Sequence, residues 1–105
     1  MGKMMNDRLA LHERLLEIAG NSNVYFQPPE SVKLKYPAIV YSISDIDNVA
    51  ADNITYVQNV SYTIIVIDRA PDSALMEKVS QIPSIVFDRP YVADNLNHFV
   101  FTLYV

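Results

Sequence analysis

Cysteine is absent from this chain, and glycine occurs only twice, at Gly2 and Gly20. Without thiols there is no disulfide framework, no thiolate nucleophile and no cysteine-ligated zinc. With so little glycine there is no loop that could wrap a phosphate, which argues against nucleotide chemistry. No apolar run approaches the ~18 residues a membrane-spanning helix needs. The N-terminal residues lack the apolar stretch of a signal peptide. Basic residues are also scarce, 8 against 12 acidic ones, giving a net charge of -4. Residues 1–36 hold five Lys/Arg and four Asp/Glu, whereas residues 37–105 hold three and eight. That second part repels phosphate backbones and argues against an electrostatic nucleic-acid surface.

What remains is a chain of 105 residues that is half hydrophobic, the size of one domain with its own core. The spacing of Leu11, Leu15, Ile18 and Ala19 predicts a helix from Asn6 to Ala19, with Asn6 as N-cap and Gly20 as its stop. His12 flanks the apolar stripe and reads as a surface histidine. A short strand is expected at Val24–Phe26, then a loop bounded by Pro28 and Pro29. "AIVYSIS" at Ala38–Ser44 has the β-branched and aromatic content of a strand. The acidic "DIDNVAADNITY" that follows carries Asp45, Asp47 and Asp52 and reads as an extended loop, either a partner-contacting arm or a solvated tip.

Tyr56–Asp68 is the longest expected strand. Val60, Tyr62, Ile64 and Val66 mark its core face, while Ile65 and Ile67 put apolar residues on the other face, which needs a cover. "APDSALMEKVSQIP" predicts a second helix with Pro71 in its first turn, Asp72 and Ser73 as capping residues and Pro83 as its end. Strands at Ser84–Asp88 and His98–Val105 complete the order α-β-β-β-α-β-β. A strand running to the last residue is expected to be held by the sheet. The fold class is α+β, a small, mostly antiparallel sheet with both helices on one face, in one domain over residues 1–105.

The polar segment "FDRPYVADNLNH" holds Asp88, Arg89, Asp94, Asn95, Asn97 and His98. Catalysis or metal binding would need these side chains to converge beside a nucleophile or a second shell. No nucleophile with an adjacent base occurs, and Asp and Asn here are residues that shape turns. The segment therefore reads as a polar corner feeding the last strand, with no catalytic, cofactor or metal site; a small hydrolase built on Asp88, Asp94 and His98 is the competing reading. "VIDRAPDS" and "VFDRPYVAD" each end a strand in Asp-Arg followed by proline, and alternation sends the two charged side chains to opposite faces.

Together, "KYPAIVYSI", "VIDRAPDSALMEKVSQIP" and "FDRPYVADNLNHFVFTLYV" resemble the tail-terminator (tail-completion) proteins of tailed bacteriophages, over Val24 to Val105. The resemblance implies a non-enzymatic virion protein that forms a ring, usually hexameric, at the head-proximal end of the tail. Its implied partners are other copies of itself, the tail tube protein, the neck or connector protein and, in a contractile tail, the sheath. DNA would pass through the ring without sequence-specific binding, and no membrane or cofactor is implied. Six copies at -4 each carry -24, which suits an acidic channel. On this reading Ile65, Ile67, Arg69, Arg89 and Tyr104 are candidate subunit contacts, and Asp45, Asp47 and Asp52 candidate channel or neighbouring-ring residues. A head-completion or neck connector role, or a general protein-binding module, is the alternative.

Overall fold

The computed structural model describes the backbone of residues 3–20, 23–51 and 55–104, and side chains from residue 8 onward except in 45–51 and 55–59. Among the described residues, two helices and five strands follow in the order α1 (Lys3–Ala19), β1 (Val24–Phe26), β2 (Ala38–Ala51), β3 (Thr55–Asp68), α2 (Ala74–Val79), β4 (Ile85–Ala93) and β5 (Leu96–Tyr104). The sheet order is β1-β2-β3-β5-β4. Only β1 and β2 pair in parallel; every other neighbouring pair is antiparallel. The α+β class and the element order thus match the sequence reading.

Alternation divides the sheet into two faces. Ile39 and Tyr41 of β2, Val60, Tyr62, Ile64 and Val66 of β3, and Phe99, Phe101 and Leu103 of β5 form one buried face. Leu11 and Leu15 of α1 and Leu75 and Val79 of α2, joined by Ile82, close over it. Both helices therefore cover the same side. α1 begins at Lys3, three residues before the expected cap, so Asn6 lies inside the helix. It stops at Gly20, whose left-handed backbone (φ 70°) lets its N–H bond back to Leu16 O at 2.9 Å.

α2 is shorter than expected. Pro71 and Asp72 precede it, Ser73 is the N-cap, and Ser80 closes it before Pro83 is reached. Ser73 is buried, and its hydroxyl accepts from Met76 N–H at 3.1 Å, which satisfies one of the helix's free donors.

Two strands run further than the sequence suggested. β2 continues through the acidic stretch to Ala51, so Asp45 and Asp47 stand in a strand, not a loop, opposite Ser61 and Asn59. Asp52 lies outside the described residues. β4 continues through Pro90 to Ala93 because it is an edge strand, where a residue without an N–H leaves no ladder bond unmade.

Candidate functional site

The face turned away from the helices is built from cross-strand rows. Tyr91, His98, Ile67 and Ala38 align across β4, β5, β3 and β2; Arg89, Val100, Ile65, Val40 and Tyr25 form the next row and reach β1. Then come Val86, Thr102, Thr63 and Ser42, followed by Tyr104 and Ser61. The face thus changes from apolar at one end to hydroxyl-rich at the other. Ser44 and Ser61 share a 2.9 Å hydrogen bond at that second end. The loop after β1 returns on this side: Tyr25 belongs to the second face, and its hydroxyl accepts from Lys35 N–H at 3.4 Å.

The candidate contact residues separate by burial. Ile67 is only 6 % exposed and Val100 4 %, so both are already sealed within one chain and offer little area to a neighbour. Ile65 is half-buried. Tyr104 is 59 % exposed at the hydroxyl-rich end. Arg69 is exposed just beyond β3, with its carbonyl accepting from Asn97 Nδ2 at 3.1 Å.

Asp88 and Arg89 depart from simple alternation. A β-bulge between Phe87 and Arg89 leaves Asp88 without a partner of its own on β5. Inserting one residue turns the strand locally and brings the adjacent side chains to one side. Arg89 Nη1 donates to Asp88 Oδ2 at 2.7 Å, both side chains exposed. The expected divergence of the two is corrected by this bulge. At the parallel position on β3, Asp68 instead accepts from Ala70 N–H at 3.1 Å and turns the chain toward α2.

The polar corner is a hairpin turn. Ala93 pairs with Leu96, and Asp94 and Asn95 between them both take left-handed backbone, φ 53° and 61°. That is the type I′ pattern, in which Asp and Asn are among the favoured residues. His98 stacks on Tyr91, rings 4.5 Å apart and 12° from parallel, with Nδ1 3.1 Å from Leu96 O. Among the described residues, no three His, Asp or Glu side chains gather where a metal ion could be held. Asp88, Asp94 and His98 are thus given separate structural tasks on bulge, turn and strand.

One polar cluster escaped the sequence reading. His12 is half-buried, not a surface residue, and its Nδ1 lies 2.6 Å from the Tyr41 hydroxyl. The charge of Arg8 acts on the same phenol, and its guanidinium lies 4.6 Å from the centre of the Phe26 ring. Burial pushes the Tyr41 pKa above its ordinary value of 10.0, opposed by Arg8. The i, i+4 spacing of Arg8 and His12 on α1 was the available signal, but their common partner is far away in sequence.

Shallow hollows beside α1, lined by Glu13, Arg14 and Glu17 and by Lys78 and Gln81 of the α2 end, are open to solvent and hold no converging catalytic groups. Among the described residues, no helix is long and apolar enough to cross a membrane. No known family model matches the sequence, and neither does any curated protein.

Proposed function

We propose that this protein is a structural ring component of a tailed-bacteriophage virion, a tail terminator that caps the tail tube and joins it to the neck. The reading rests on the residues that carry the family resemblance. The observation that supports it most is a two-stranded arm. Pairing of β3 with β5 ends at Ser61 and Tyr104, whereas β2 and β3 stay paired out to Ala51 and Thr55. Among the described residues, the six pairs Ile46–Val60 to Ala51–Thr55 therefore have no third strand beside them. At about 3.3 Å per residue this ribbon is roughly 20 Å long, and the molecule measures 51 × 24 × 23 Å.

A lone two-stranded ribbon is only marginally stable in water. Docking against the layer above or below in a stacked assembly would supply what it lacks. Asp45 and Asp47, at its root, bring negative charge to that contact or to the channel, and the exposed Tyr104 adjoins the same end. Subunit contacts would then involve Ile65, Arg69, Arg89 and Tyr104, with Ile67 acting from within.

The test is co-sedimentation with purified tail tubes, followed by cryo-electron microscopy of the tube ends. A ring at the head-proximal end, and no turnover of any substrate, is the expected result. A protein that ignores tubes but binds head–neck particles would move the assignment to the neck connector. One that ignores both would overturn it.

A further inference from the structure

The free edge of β4 is the most apolar exposed strip among the described residues: Val86, Phe87, Tyr91 and Val92 are all exposed, Val92 by 68 %. Its backbone directions follow from the hairpin. A two-residue turn makes the flanking Ala93 and Leu96 a hydrogen-bonded pair, and such pairs alternate along an antiparallel ladder. On β5, therefore, Leu96, His98, Val100 and Thr102 bond to β4. The β4 residues opposite Asn97, Phe99, Phe101 and Leu103 are Val92, Pro90, Phe87 and Ile85, and these aim their backbone groups at the open edge. Pro90 fits that assignment, because proline is tolerated where the missing N–H would face outward.

We propose that this edge pairs with a second copy of the same chain, the two β4 strands running antiparallel about a two-fold axis between Asp88 and Arg89. In that register Asp88 faces the partner's Arg89, Phe87 faces the partner's Pro90, Val86 the partner's Tyr91 and Ile85 the partner's Val92. Outward-directed residues meet outward-directed ones throughout. Phe87 N–H reaches the partner's Pro90 carbonyl, and Val92 N–H the partner's Ile85 carbonyl, each repeated by the two-fold. Ile85 N–H is already used by Ile82 O at 3.3 Å, so its carbonyl is the group left to share.

Charge selects this register over its neighbours. A shift of one residue either way sets Arg89 against the partner's Arg89, or Asp88 against the partner's Asp88. In the proposed register the exposed Asp88–Arg89 pair becomes a ring of four alternating charges. Bulges, prolines and charges ordinarily protect an edge from indiscriminate pairing. Here the charges disfavour both one-residue shifts, and in the proposed register the two bulges fall opposite each other and keep the ladder in step. The contact is isologous, unlike the head-to-tail contacts of a ring, so it describes free chains and stands apart from the tail-terminator reading.

Sedimentation equilibrium of the full chain over a micromolar concentration series tests this, with circular dichroism of each variant reporting its fold. The wild type should show a monomer–dimer equilibrium, the dimer having twice the 11.9 kDa chain mass. Asp88→Arg and Arg89→Asp should each weaken the dimer by about tenfold or more, because the two-fold repeats every like-charge contact. The double swap, Asp88→Arg with Arg89→Asp, should restore it. A wild type that stays monomeric, a closed species other than a dimer, or a double swap as weak as the single ones would overturn the proposal.

Discussion

His12 Nδ1 and the Tyr41 hydroxyl lie 2.6 Å apart, joining α1 to β2 across 29 positions of sequence. The positive charge of Arg8 acts on the same phenol oxygen. Tyr41 also packs between Phe26, tilted 47° to it at 5.0 Å, and Tyr62, edge-on at 6.2 Å. The phenol therefore anchors the helix to the sheet by packing and by polar contact together.

Tyr41→Phe keeps the ring but removes the hydrogen bond to His12, leaving the half-buried imidazole nitrogen without that partner. It should cost about 1–2 kcal/mol in urea unfolding, with the slope unchanged. The variant also changes the alkaline limb. Burial raises the folded-state pKa above 10.0, so the unfolded state loses its proton first. The stabilisation is complete below pH 10 and is lost as pH rises through the folded-state value. The fall in wild-type stability above pH 10 should be steeper than that of Tyr41→Phe; parallel curves would show that this phenol is not the group responsible.

Ser73→Ala tests the short second helix. α2 has six residues, too few to hold itself by propensity, and its first turn depends on a buried hydroxyl accepting from Met76. The substitution should lower stability by about 1–2 kcal/mol. Ser73→Asp, which keeps a capping oxygen but buries charge, should recover less than Ser73→Thr. Equal loss in all three variants would assign the effect to packing.

Much of this fold was legible because burial imposes period. Val60, Tyr62, Ile64 and Val66 alternate on a buried face, and Leu11 and Leu15 recur at helical spacing. Gly20 and Ser73 are local signals and ended or began their helices as expected. The acidic continuation of β2 was hidden because a ribbon paired on one side only imposes no buried period on its sequence. Pro90 concealed the second half of β4, since proline is a breaker everywhere except at an edge and edges are set by topology. The Asp88–Arg89 pair was misjudged for a similar reason: a bulge is a property of two strands, and alternation along one of them cannot reveal it. His12 was misplaced because its partner, Tyr41, is brought there by the tertiary fold.

Asn95 gives a sharp test of the hairpin. Its left-handed backbone, beside that of Asp94, is open to glycine and asparagine and strained for β-branched residues. Asn95→Gly should leave stability within about 0.5 kcal/mol of the wild type, while Asn95→Val should cost roughly 1–3 kcal/mol. Thermal unfolding monitored by circular dichroism would rank them. If valine proved as stable as glycine, the turn in solution could not be type I′.

Ile65 and Ile67 are two residues apart on the same strand face, yet they should respond differently to serine. Ile67 is buried beside Ala38 and His98 within one chain, so Ile67→Ser removes apolar contacts and buries a hydroxyl. A loss of about 2–4 kcal/mol is expected, whatever the assembly state. Ile65 is half-buried between Val40 and Val100 and still presents surface. Ile65→Ser should cost only about 1 kcal/mol of chain stability, yet weaken tube-dependent assembly by a larger factor. Stability from urea titration and assembly from co-sedimentation separate the two effects. If Ile65→Ser assembled normally while Ile67→Ser merely unfolded, the second face would be an internal surface, and subunit contact would have to come from the β2–β3 arm and the strand edges.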